Sequence, residues 1–124
     1  MSQEIEKLPP AVQERLLRLQ QLQQTLQAVI TQKQQIELEL SETDSALEEM
    51  QKIADDTPIY KSIGSLLIKT EKTKVTTELT ERKDLLNTRI NVLTKQEERL
   101  RSQMKDLQTK LQQDLKPLSP PSES

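Results

Sequence analysis

The chain contains no cysteine and no histidine. A disulfide scaffold is therefore excluded, and so are thiol catalysis and the commonest acid–base group and metal ligand. There is a single glycine, Gly64, too few for a glycine-rich phosphate loop. There is a single aromatic residue, Tyr60, with no Phe or Trp. An enclosed globular core of the usual kind is not expected from 124 residues so poor in large side chains. No apolar run approaches the ~18–20 residues of a membrane span, and the N-terminus shows no signal-peptide h-region. Neither sign of charge dominates: 18 basic residues are interspersed with 20 acidic ones, for a net charge of −2. A concentrated basic stripe, which a nucleic-acid-binding arm needs, is missing. Asp55-Asp56, Glu48-Glu49 and Glu97-Glu98 are carboxylates without a cleft and read as a helix stop and solvated helix faces. The expectation is a non-enzyme with no catalytic, cofactor or metal site, and a cytoplasmic protein that engages neither nucleic acid nor membrane.

What is present is a heptad phase, repeated. Before Gly64 the positions Leu19, Leu22, Leu26, Val29, Lys33, Ile36, Leu40, Thr43, Leu47 and Met50 step by three and four in alternation. After it, Leu79, Lys83, Leu86, Ile90, Leu93, Glu97, Leu100, Met104, Leu107 and Leu111 do the same. Eight of ten are apolar in each list. A 3.5-residue repeat is a coiled-coil seam, and disordered chains of equally low hydrophobicity do not hold such a phase. Read from opposite ends, the lists are mirror images. Leu19 answers Leu111 and Met50 answers Leu79, each pair equidistant, to within one residue, from the Gly64-Ser65 junction. That symmetry is what two antiparallel helices joined by one reversal require.

Prolines set the boundaries. They stand at 9, 10, 58, 117, 120 and 121, leaving 11–57 and 59–116 free. An interior proline costs a helix about 3 kcal/mol, so long helices are permitted only in those gaps. The sequence predicts one domain: a first helix over 8–54, roughly 65–70 Å long, a β-hairpin over 59–70, a second helix over 73–115 with a threonine N-cap, and a flexible tail over 116–124. The fold class is mostly α, a long antiparallel two-helix coiled coil joined by one β-hairpin.

The hairpin segments Ile59-Tyr60-Lys61-Ser62-Ile63 and Leu66-Leu67-Ile68-Lys69-Thr70 are rich in strand formers. Glycine at the first central position suits a type II′ turn. That turn pairs Ile63 with Leu66, Lys61 with Ile68 and Ile59 with Thr70, on the same axis as the helical mirror. Two strands alone are marginal in water, and open edges recruit further strands. Either hairpins from several chains close into a barrel, or the segment is a capped loop packed on its own helix ends.

Two polar seam residues, Lys33 and Glu97, fall opposite one another in the mirror. Buried polar groups often specify register; long charged chains also simply snorkel out of a narrow seam. At the chain's two ends, Leu8, Val12, Leu16, Leu17, Leu115 and Leu118 have no good apolar partner across the mirror. They form either a surface for a partner or frayed ends that bind nothing.

Particular stretches carry a family likeness. Tyr60-Lys61-Ser62-Ile63-Gly64-Ser65-Leu66-Leu67-Ile68 resembles the hairpin of the archaeal β-type subunits of prefoldin. Leu22-Gln23-Gln24 through Ile30-Thr31-Gln32-Lys33-Gln34-Gln35-Ile36 is similar to that family's glutamine-rich first helix. Ser41-Glu42-Thr43 with Ala46-Leu47-Glu48-Glu49 is similar to its continuation, and Lys95-Gln96-Glu97-Glu98-Arg99-Leu100 to its second helix. The likeness covers roughly 8–115 and leaves the tail unmatched. The α-type subunits are longer and carry two hairpins, whereas one fits here.

The resemblance implies a hetero-hexamer of two α-type and four β-type subunits. Its hairpins form β-barrels, and its coiled-coil tips hold unfolded protein clients without ATP and deliver them to a group II chaperonin. On this chain it implies an assembly role for Ile59, Tyr60, Ile63, Leu66, Leu67 and Ile68. It implies client binding by Leu8, Val12, Leu16, Leu17, Leu115 and Leu118. A structural or tethering coiled coil with fixed partners and no holding activity is the alternative.

Overall fold

The computed structural model describes residues 7–116. Four elements follow one another: α1 (Pro10–Lys52), β1 (Ile59–Ile63), β2 (Leu66–Thr70) and α2 (Lys72–Leu115). The chain divides into two compact units. One is built from residues up to 31 and from 93 onward, the other from 32–92.

Helix α1 starts at Pro10 rather than at 8, because a residue preceding proline is pushed out of the helical region, and Leu8 and Pro9 both precede one. Pro10 lacks an N–H that the first turn would leave unpaired anyway. The Pro9 carbonyl accepts bonds from the backbone N–H groups of Val12 (3.0 Å) and Gln13 (3.1 Å). At its other end α1 stops at Lys52, short of the expected Ala54. There Lys72 Nζ donates to the Ile53 carbonyl and to Asp55 Oδ1, both at 3.0 Å. A cation at the carbonyl end of a helix satisfies orphan acceptors and complements the dipole.

Helix α2 is capped by Glu71 and not by a threonine: the Glu71 carbonyl accepts the Val75 N–H at 3.1 Å. The threonines lie inside the helix instead. Thr77 Oγ1 donates to the Thr73 carbonyl (2.9 Å) and Thr80 Oγ1 to that of Thr76 (2.8 Å). A hydroxyl that can bond the carbonyl one turn back has no need of a cap position.

In the unit formed by 32–92, the seam positions Ile36, Thr43 and Leu86 are buried. Lys33, Leu40, Leu47, Met50, Leu79, Lys83 and Ile90 are half-buried. Thr43 tolerates burial because its Oγ1 donates to the Glu39 carbonyl at 2.8 Å. Lys83 reaches out of the seam to Asp44 Oδ1, 2.8 Å away on the facing helix, and Arg82 meets Glu39 at 3.5 Å. In the other unit Leu22, Leu26, Val29, Leu93 and Leu111 are buried. Leu19, Glu97, Leu100, Met104 and Leu107 are half-buried. No position of either heptad list is exposed. By contrast, Leu17, Leu38, Leu85 and Val92, which lie off the seam, are each more than half exposed.

The two strands form an antiparallel ladder pairing Ile59 with Thr70, Tyr60 with Lys69, Lys61 with Ile68, Ser62 with Leu67 and Ile63 with Leu66. This is the expected register. Gly64 takes φ +57° while no other described residue has positive φ. A type II′ turn places positive φ at its first central residue alone. An added Cβ at Gly64 would meet nothing within 4 Å, so glycine is required by backbone conformation and not by space.

Candidate functional site

Two surfaces stand out, one in each unit. The first is the hairpin. Its side chains alternate between two faces. Cross-strand pairing puts Ile63, Leu66 and Ile68 on one face and Tyr60 and Leu67 on the other. All five are open, from Ile68 at 46% to Leu67 at 72% exposure. Few positions in the chain carry so much uncovered apolar area so close together. Ile59 differs: it is buried at 9% within its own chain, so it anchors the hairpin's root and leaves the open faces to the other five. Lys61 Nζ lies 2.9 Å from Glu78 Oε2 and ties β1 to the early turns of α2.

The second surface lies where the described chain begins and ends. Leu8, Leu16 and Leu115 are half-buried and Leu17 is exposed. Leu118 lies outside the described residues. Val12 corrects the expectation of poor cover, for it is only 3% exposed. Heptad counting set Val12 against Pro117 and found no apolar partner, yet the side chain is covered. Gln13 Nε2 donates to the Leu8 carbonyl at 2.7 Å, folding the segment before Pro10 back over the first helical turn. Arg15 is paired with Asp114 across the two helices. Neither Gln13 nor this ion pair was picked out from sequence. Arg15 and Asp114 do stand at equal distances from the Gly64-Ser65 junction, so the mirror that aligned the leucines also contained them.

Lys33 is half-buried, and so is Glu97, which accepts the Arg101 guanidinium at 3.0 Å within its own helix. Among the described residues no cluster of acidic side chains could hold a metal ion, and no helix is long and apolar enough to cross a membrane.

The model of the prefoldin subunit family matches residues 13–117. The chain belongs to the prefoldin subunit family. It is 51% identical to the prefoldin subunit beta of Archaeoglobus fulgidus over 111 residues, 90% of this chain and 96% of that one. Against the prefoldin subunit beta of Methanothrix thermoacetophila it is 46% identical over 114 residues, covering 92% and 95% of the two chains. The crystal structure of the prefoldin beta subunit from Thermococcus strain KS-1 superposes with a TM-score of 0.82 at 41% identity. That match covers 93% of this chain and 98% of the other. The beta2 subunit of the same strain, at 22% identity and a TM-score of 0.66, shares the fold. Two long helices joined by a two-stranded hairpin are thus the prefoldin β fold, and the chain is a prefoldin-family chaperone subunit.

Proposed function

We propose that this chain is a β-type subunit of a prefoldin hetero-hexamer, a cytoplasmic chaperone that holds unfolded polypeptides without ATP and passes them to a group II chaperonin. The observation that carries the reading is the uncovered hairpin. Tyr60, Ile63, Leu66, Leu67 and Ile68 are open together on five neighbouring positions of one hairpin, whereas no position of the helical seam is exposed. Covering each is worth about 1.5–3 kcal/mol, and the free strand edges supply the directionality for further pairing. Hairpins of four such chains and two α-type partners close into barrels, with Ile59 fixing each hairpin to its own helices.

The holding surface is then carried by the other unit, through Leu8, Leu16, Leu17 and Leu115, with Leu118 assigned to it from sequence alone. A single cluster of this size binds weakly. Several arms on one base raise the effective concentration of each for a client already held by another. Hydrophobic capture of this kind needs no nucleotide and no catalytic group. Lys33 and Glu97 serve as the polar pair that sets which heptads meet.

Deletion of residues 1–18 tests the holding surface. The truncated chain, reconstituted with its α-type partner, is expected to keep the hexamer's mass and lose its ability to suppress aggregation of an unfolded client. Full retention of suppression by the truncated hexamer would place capture elsewhere. A hexamer whose wild-type form suppresses nothing would leave the tethering role instead.

A further inference from the structure

Val12 is among the most deeply buried side chains of the protein, at 3% exposure, although it lies within three residues of the first helical position. Helix ends fray, and so complete a burial there needs ties. Two are present. On one side the Gln13 amide holds the Leu8 carbonyl at 2.7 Å and keeps the pre-helical segment folded back. On the other the Arg15 guanidinium is paired with the Asp114 carboxylate, joining the first turns of α1 to the last turn of α2. Arg15 is one helical turn from Val12, and Asp114 is one turn from Leu111, itself 5% exposed. Positions three apart share a helix face, so the ion pair sits between these two buried apolar side chains.

Both partners of the pair remain about one-third exposed, at 35% and 28%. A partly exposed ion pair in water holds only weakly and opens readily. Leu16 and Leu115 adjoin the pair in sequence and Leu8 lies in the segment that Gln13 holds; all three are half-buried. From this arrangement we propose that the Arg15–Asp114 pair is a latch on the client-holding surface. Closed, it conceals Val12 and part of Leu8, Leu16 and Leu115. Open, it releases them as one apolar surface for an unfolded polypeptide. The latch rests on the holding role proposed above and adds to it a regulated, concealed component. It also gives Val12 a function that its burial would otherwise deny.

The test uses the full chain reconstituted with its α-type partner, and guanidine-unfolded lysozyme as the client. Arg15→Ala and Asp114→Ala each remove one half of the pair, and the exchange Arg15→Asp with Asp114→Arg rebuilds it in reverse. Each single variant is expected to suppress aggregation at a concentration lower by about two- to fivefold, the scale of one partly exposed ion pair. Amide exchange over 10–16 is expected to quicken by a similar factor. The exchange variant returns both readouts toward wild type, and adding Val12→Ser to Arg15→Ala cancels the gain in suppression. Unchanged exchange rates in both single variants would overturn the latch. Faster exchange with equal or poorer suppression would overturn the concealed surface while leaving the holding role intact. A wild-type complex that suppresses nothing refutes the holding role itself, and the exchange rates still decide whether the pair is a latch.

Discussion

The helical seam and the hairpin use the same kinds of side chain and reach opposite outcomes. Along the seam, leucine, isoleucine and valine at heptad spacing are shielded by the facing helix of the same chain. On the hairpin, five apolar side chains within nine residues of sequence stay open on two faces. The difference is geometric. A helix needs one apolar stripe and meets its complement when the chain doubles back. A two-stranded ribbon has two faces and two edges, and here the helices depart from its open end. One region is complete within a single molecule; the other is left uncovered by it.

The sharpest way to break that contrast is to charge the open face. Ile63→Asp with Leu66→Asp is expected to reduce the mass of the assembly to that of single chains by light scattering, with helix content by circular dichroism unchanged. An assembly of unaltered mass would show that the hairpin is not where subunits join. Next in size is a pair of adjacent leucines. Leu86 is 2% exposed and Leu85 59%. Leu86→Ala is expected to cost about 2–5 kcal/mol in chemical denaturation, and Leu85→Ala no more than about 0.5 kcal/mol. Equal losses would mean that both faces of α2 are covered in the assembly.

Smaller effects probe the polar members of the seam. Lys33→Glu and Glu97→Lys are each expected to lower the denaturation midpoint. Together they should recover about 0.5–3 kcal/mol of coupling; additive losses would remove their role in register. The smallest effect concerns Lys83. The hydrogen bond to Asp44, reinforced by that carboxylate's charge, raises the lysine's pKa above its usual value near 10.5. A raised folded-state pKa means that the stabilisation is complete below the unfolded value and disappears as pH climbs through the folded one. The stability gap between wild type and Lys83→Met should therefore be constant through neutral pH and narrow above about pH 10.5. A gap that stayed unchanged as pH rose through that range would refute this assignment.

The seam was legible because a heptad is a strong, long signal: twenty positions named from spacing alone are all sheltered. The hairpin register was legible because one glycine could occupy the turn, and Gly64 does so with the φ expected of it. Features that depend on a single side chain reaching a distant backbone atom were not legible. The end of α1 is set by Lys72, far along the chain, and the start of α2 by Glu71 instead of a neighbouring threonine. Val12 escaped because periodicity counts partners across the seam alone, and neither its 3% exposure nor the neighbouring Gln13–Leu8 bond follows from that count. The open faces of the hairpin were foreseen from its alternation, except at Ile59, which is buried although alternation alone would leave it free.

Lys72 has a consequence for the order of events during synthesis. Its ammonium closes the carboxyl end of α1 by reaching the Ile53 carbonyl and Asp55, yet it emerges from the ribosome some twenty residues later. A nascent chain halted inside the hairpin thus carries a first helix whose last turn is unfinished. Only when Lys72 arrives does the first helix gain the cation that closes its carboxyl end.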